Sequence, residues 1–264
     1  MRAAISIKTS KMNLQVSNIA TENGEVASAL APTDSGIAEF GALDIADRFA
    51  WINQHYARQV IASTSAGAQA AVMLHLIKKH APNIPVVFID TGYHFPETYQ
   101  YLETLKEKLD LEIQVYSPAI TAARQEAMYG KLWEGDTEDL ERYGLINKVE
   151  PMNRALKELG ATAWISGLRR SQSRGRGNLG FVVKQTRTTK LYPILDWTNE
   201  QIDSYYYLYG LPSHPLLEKG YVSIGDWHST KPLEEGQSAE DTRFGGIKRE
   251  CGLHEASNVA DYQI

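Results

Sequence analysis

The stretch QVIASTSAGAQAAVMLHLIKKH, residues 59–80, reads as a strand that turns directly into a helix. QVIAST is short, apolar and β-branched, the composition of a buried strand, whereas AGAQAAVMLHLIKKH runs on at helical length. The turn between them, STSAGAQ, carries three hydroxyls and a glycine. A strand, a turn and a helix form the first half of a βαβ unit, and the rest of the chain can be searched for the same alternation.

It recurs in both directions. Upstream, ALDIADRFAWINQHYA places Ile45, Phe49 and Ile52 at helical spacing. Downstream, PVVFID, EIQVYS, TAWISGL and LYPIL read as strands, and FPETYQYLETLKEKL, TAARQEAMYGKL, PMNRALKEL and TNEQIDSYYYLYG as the helices among them. Pro151 suits a first helical turn and Gly160 a C-terminal cap. Strands this apolar, alternating with helices, predict an α/β fold, a doubly wound and mostly parallel sheet with helices on both faces. Residues 1–36, rich in Ser, Thr and Ala without firm periodicity, read as a flexible leader. Glu22, Glu25, Asp34 and the scarcity of arginine fit a transit peptide poorly. Residues 37–230 form the expected domain, and the polar residues 231–264 form a mobile C-terminal tail, expected to be poorly ordered without ligand.

The 264 residues are 43% hydrophobic with a net charge of −5, enough to bury a full core and without the basic excess of a general nucleic-acid binder. No run approaches the length of a membrane span. One cysteine excludes an intramolecular disulfide, a CxxC redox pair and a cysteine-rich zinc site, and points to a reducing, cytoplasmic setting.

Ligands of such sheets bind at the carboxyl ends of the strands, which directs attention to the loops there. In STSAGAQ, Ser63, Thr64, Ser65 and Gly67 precede a helix N-terminus and can offer donors to an oxyanion, although a hydroxyl-rich helix cap accounts for them equally well. The GK[ST] ending of a Walker A loop is missing. In DTGYHFPETY, Asp90 and Thr91 end a strand where they could contact a nucleoside, or simply form a turn. GLRRSQSRGRGN concentrates Arg169, Arg170, Arg174 and Arg176 without an acid, next to Ser171. A dense anion would relieve that crowding, and a solvated basic loop is the alternative. Lys148, just before a helix start, could face the same cleft. Near the C-terminus, KRECGLHE sets Cys251 between Lys248–Arg249 and His254, neighbours that favour the thiolate, while Glu250 and Glu255 oppose it. Charged neighbours and a glycine suit a reactive thiol better than a core position.

STSAGAQ, IDTGYHFPETY, YGKLWE, NKVEPMNRAL, GLRRSQS and KRECGLHE, in this order and spacing, resemble the thioredoxin-dependent phosphoadenylyl-sulfate reductases of assimilatory sulfate reduction, over about residues 40–256. That resemblance implies an adenine nucleotide α-hydrolase-like fold, a homodimer and no bound metal. It implies that Cys251 attacks the sulfur of 3′-phosphoadenylyl sulfate and that reduced thioredoxin, or glutaredoxin, releases sulfite from the resulting S-sulfonate. Ser63, Thr64, Ser65, Gly67, Asp90, Thr91, Arg169, Arg170 and Ser171 would then bind substrate, and Lys148, Arg243 and His254 would act with Cys251. Gly245 and Gly246 would let the tail open and close. Two departures from related enzymes matter. ATP pyrophosphatases carry SGGxDS where this chain has STSAGAQ. Adenylyl-sulfate reductases ligate an iron–sulfur cluster through cysteines that would fall here on Tyr143, Gly144, Asp226 and Ser229, so no cluster is expected. A cluster-free adenylyl-sulfate reductase and a non-catalytic nucleotide sensor are the alternatives.

Overall fold

The computed structural model describes residues 34–239 and 241–243. Helices α1 (Asp34–Phe40) and α2 (Ile45–Tyr56) lead into β1 (Val60–Thr64), α3 (Ala70–His80), β2 (Val86–Ile89), α4 (Pro96–Leu109) and β3 (Ile113–Tyr116). A long crossover then holds α5 (Ala122–Tyr129), α6 (Thr137–Gly144), a π-helical turn (Leu145–Val149) and α7 (Glu150–Glu158). It returns to β4 (Ala163–Ile165), and β5 (Val182–Lys184), β6 (Thr189–Leu191) and α8 (Asn199–Tyr209) complete the set.

The sheet runs β3-β2-β1-β4-β6-β5, parallel except for β5 against β6. Alternate residues explain why its strands are apolar throughout. Val60 and Ala62 of β1, with Val86 and Phe88 of β2, pack on Phe49, Ile52, Val72, Leu76, Leu102 and Leu105 from α2, α3 and α4. Ile61, Val87, Ile89 and Trp164 face the opposite side, against Met152, Ala155 and Leu156 of α7. With both faces covered, neither parity of the strand is free to be polar. The expected α/β class is the one observed.

The chain winds from β1 outward to β3, then crosses to β4 on the other side of β1. That reversal makes the crevice above the carboxyl ends of β1 and β4 the natural ligand position. The helix ends are set by local chemistry. Asp44 accepts from Asp47 N at 2.9 Å, Thr198 and Gln201 form a reciprocal capping box, and Gly210 closes α8 at φ +56°. Pro151 sits in the first turn of α7 and Gly160, at φ +61°, follows its end.

Three local expectations shift. LYPIL becomes strand only at Leu191, with β6 starting at Thr189; beyond it Leu195 N donates to Tyr192 O in a turn, and Pro193 has no N–H for a ladder. The edge strand β5 and the helix α6 have no counterpart in the strand–helix series read from sequence. Helix α1 begins inside the segment read as leader; the rest of residues 1–36 lies outside the described residues. Within the expected tail, residues 231–239 and 241–243 fold back on the domain: Lys231 N donates to Thr242 O, Leu233 N to Gly220 O, and Thr230 bridges Arg243.

Candidate active site

The loop after β1 is held tightly. Trp164 Nε1 of β4 donates to Ser63 Oγ at 2.6 Å, and Ala66 N donates to Thr64 Oγ1 at 3.1 Å, with Ala66 at φ +46°. Ser65 is left exposed. Gly67 is buried; a Cβ there would lie 3.2 Å from Ser65 Oγ and 3.4 Å from the carbonyl of Ile224, so the 224–226 segment runs directly against this turn. Three residues later α3 begins.

The loop after β4 meets it across the crevice. Arg169 is 1% exposed and its guanidinium donates to Gln69 Oε1, Asn199 Oδ1, Ser171 Oγ and the carbonyl of Trp197. All four acceptors are neutral. Burial lowers its pKa from the ordinary arginine value, partly countered by Asp203 and Glu200 farther off. Arg169 therefore braces the β1 and β4 loops together and contributes positive potential to the crevice without a carboxylate in contact. Arg170 turns away, donating through Nε and a terminal nitrogen to Leu179 O and lying over the Phe181 ring at 4.9 Å.

Beyond β2, Asp90 Oδ1 accepts from Gly92 N and Tyr99 OH, at 2.9 and 2.7 Å, and so shapes its own turn. Thr91 points the other way, and its hydroxyl donates to Asp226 Oδ1 at 2.6 Å. Asp226, 1% exposed, is the hub of the site. Its Oδ2 accepts from Tyr143 OH of α6 at 3.0 Å and lies 2.6 Å from Lys148 Nζ of the π turn. His94 Nδ1 stands 4.0 Å from Oδ1. Burial would push the carboxyl up, but the Lys148 ammonium, helped by His94 and the Thr91 hydroxyl, holds it well below the usual carboxylate range.

Because Tyr143 gives its proton to Asp226, its oxygen must accept from His228 Nε2, 3.1 Å away. That fixes His228 as the Nε2–H tautomer, stacked on Trp133 at 4.5 Å. Burial lowers its pKa to about 4, with Lys148 and Arg243 adding to the effect and Asp226 opposing it, so the ring is neutral near pH 7. The guanidinium of Arg243 packs on Gly225, where any Cβ would collide with it. Thus Thr91, Lys148 and Arg243 converge around residues 225–226, and Ser63, Thr64, Gly67, Arg169 and Ser171 belong to the loops that follow β1 and β4. Cys251 and His254 lie outside the described residues.

His94, His228 and Gln69 enter the site with no role read for them in the sequence, and Tyr143 and Asp226 stand out there only as positions where cluster cysteines would fall. Among the described residues no group of three or more His, Cys, Asp or Glu side chains is arranged to hold a metal, and no helix is long and apolar enough to cross a membrane.

Comparison with known proteins identifies the family of the chain. The phosphoadenosine phosphosulfate reductase domain model matches residues 59–232. A phosphoadenosine 5′-phosphosulfate reductase of Zymomonas mobilis is 50% identical over 231 residues, spanning 88% of this chain and 93% of that one. The Escherichia coli protein of the same name is 51% identical over 227 residues, 86% and 92% of the two chains. Among solved structures, a phosphoadenylyl-sulfate reductase of Candida auris superposes with a TM-score of 0.66 at 29% identity, over 77% of this chain and all of that one. The FMN adenylyltransferase of Candida glabrata, at 18% identity and TM-score 0.53 over 76% of this chain and 66% of its own, shares the fold alone. The chain belongs to the phosphoadenosine phosphosulfate reductase family, a family of oxidoreductases.

Proposed function

We propose that the protein reduces 3′-phosphoadenylyl sulfate to sulfite in sulfate assimilation, through a sulfonated Cys251. The Cys251 thiolate attacks the sulfur, the S–O bond to the nucleotide breaks, and adenosine 3′,5′-bisphosphate leaves with the electron pair. A thiolate of reduced thioredoxin, or of glutaredoxin, then attacks Cys251 Sγ. The S–S bond to the sulfonate breaks and sulfite departs with its electrons. The donor's second thiol closes the donor disulfide and returns Cys251 as thiolate. Sulfur falls from the sulfate to the sulfite oxidation level, two electrons in all, as one dithiol is oxidised to a disulfide. A chain with one cysteine has no second thiol of its own for that step.

The observation that carries this reading is the pairing of Arg243 with Gly225 beside the Asp226–Lys148 pair. Seven residues lie between Arg243 and Cys251, so over eight Cα steps of about 3.6 Å the thiol is tethered within roughly 29 Å of Arg243. In this reading Ser63, Thr64, Ser65 and Gly67 offer donors to the sulfate and phosphate oxygens, and the backbone of the Asp90–Thr91 turn lies against the nucleoside. Arg169 and Ser171 supply donors and positive potential for the phosphates, and Arg170, held on Leu179 and Phe181, adds its charge alone. Lys148, Arg243 and His254 offset charge on the transferred group and on the leaving oxygen. No bound metal or cluster takes part, and the working form is a cytoplasmic homodimer.

The test is sulfite release from 3′-phosphoadenylyl sulfate with reduced thioredoxin, and mass spectrometry after substrate alone. Wild type gains one SO₃ on Cys251 and turns over; Cys251→Ser does neither. Sulfite release by Cys251→Ser would end the proposal. Competition at equal concentration against adenylyl sulfate tests the substrate, and preference for the unphosphorylated nucleotide would reassign it.

A further inference from the structure

Burying a carboxylate is costly, and a buried ion pair is often no more stable than an apolar core of the same shape. Asp226 is nonetheless enclosed from four directions, by Thr91 from the loop after β2, Tyr143 from α6, Lys148 from the π turn and His94 from the start of the α4 loop. Its own turn closes behind it. Thr230 Oγ1 and Ser229 Oγ donate to the Asp226 carbonyl at 2.8 and 3.2 Å, and Trp227 N donates to Tyr93 O at 2.9 Å. Neither carboxylate oxygen is free to rotate: Oδ1 is taken by the Thr91 hydroxyl and Oδ2 by Tyr143 and Lys148. An ammonium on a flexible four-carbon stem is thereby fixed at one point beside the Gly225–Arg243 contact.

We propose that Asp226 is a positioning residue for sulfonate transfer, holding the Lys148 ammonium charged and aimed at the crevice where the sulfonate is transferred. The assignment rests on the reading of this site as a sulfonate-transfer centre. Asp226 itself touches no substrate; it acts through Lys148. The other ionisable groups that face it are Tyr93, His94, Tyr99, Tyr143, His228 and, at the rim, Arg243. None of them is a carboxylic acid, and Asp226 Oδ2 lies 2.6 Å from the lysine. Without that anion, burial favours the neutral amine, and the ammonium is lost at lower pH.

The experiment compares wild type with Asp226→Asn, which keeps the shape and an acceptor oxygen. Expected for the variant is a kcat lower by roughly thirtyfold with KM nearly unchanged, since a prearranged donor acts mainly in the transition state. The alkaline limb of kcat moves down by about one pH unit or more, because only the counter-charge was removed. Acetylation of Lys148 by acetic anhydride, followed by mass spectrometry against pH, starts at correspondingly lower pH. A variant with wild-type kcat and an unmoved limb overturns the proposal, and so does a lower kcat with neither the limb nor the acetylation onset displaced, the pattern of a structural staple. If Asp226→Asn does not fold, Tyr143→Phe removes one of the donors that orient the carboxylate without burying a lone charge. It should lower kcat by about threefold to tenfold at constant KM, and wild-type kcat would refute the role. Failure of wild type to form the Cys251 S-sulfonate would instead overturn the sulfonate-transfer reading, whereas the acetylation profile reports on Asp226 and Lys148 without any turnover.

Discussion

Tyr143 and Lys148, five positions apart, reach the same carboxylate oxygen, at 3.0 and 2.6 Å from Asp226 Oδ2. An ordinary α-helix would forbid it. At 3.6 residues per turn, residues i and i+5 point roughly 140° apart around the axis. The π-helical turn over Leu145–Val149, hydrogen-bonded i→i+5 and so wider than an α-helical one, rotates Lys148 back towards the Tyr143 face. The irregularity in the helix therefore builds the site, and the substitutions below test its parts.

Gly225 tests the arginine. A methyl group there collides with the end of the Arg243 side chain, which can swing aside. Gly225→Ala should therefore cost less than about 1 kcal/mol in urea unfolding, while kcat/KM falls by about tenfold or more as a charge leaves the rim. Unchanged turnover would remove Arg243 from the reaction.

Lys148→Met tests the ion pair as a stability element. It leaves the Asp226 carboxylate buried without its counter-charge, and should destabilise the fold by about 3–5 kcal/mol at pH 7.5. Adding Asp226→Asn to the same chain removes that charge and should restore most of the loss. A double variant no more stable than the single one would show that the pair contributes packing alone.

The parallel core was legible because β1, β2 and β4 are buried on both faces, so their apolar runs stand out without periodicity. The edge strand β5 is three residues, Val182–Lys184, none of them buried, inside a polar stretch. Helix α6 is dominated by charge and gains its start from Asp136, whose side chain accepts from Glu138 N and Asp139 N. At the site, residue type alone picked out Lys148, Thr91 and the Arg169 loop. It missed Asp226 because the hydroxyls that bind it come from 135 and 83 residues away, and only folding makes them neighbours. It also read Arg169 and Arg170 as equivalent, whereas one spans two loops and the other packs on Phe181.

That difference is measurable. Arg169→Lys keeps the charge but cannot fork to Gln69, Asn199, Ser171 and Trp197 at once, so it should lose about 2–3 kcal/mol and weaken nucleotide binding as the β1 and β4 loops separate. Arg170→Lys, which forgoes a shared carbonyl and a ring contact, should stay within about 1 kcal/mol of wild type. Equal losses in calorimetric unfolding would contradict the bracing role.

His214 sets an acid limit on the fold, away from the site. It is buried against Tyr101, its Nδ1 accepts from Leu216 N at 3.1 Å, and its Nε2 therefore carries the proton toward Thr98 Oγ1 at 3.2 Å. Burial lowers its pKa to about 4, against a small opposing effect of Glu97. The unfolded chain, with histidine near 6.5, binds more protons than the folded one below that pH. Stability thus declines as pH falls from about 6.5 to about 4 and is flat with respect to this group below, the total from His214 being at most about 3 kcal/mol. His228 acts in the same direction over the same range, so wild type should show a slope from both. His214→Asn retains an acceptor for Leu216 N and has no titration there. Its urea-unfolding free energy should start lower at pH 7.5 and fall less steeply towards pH 4, leaving the His228 share. A slope identical to that of wild type would mean that the His214 ring is not held neutral by the fold.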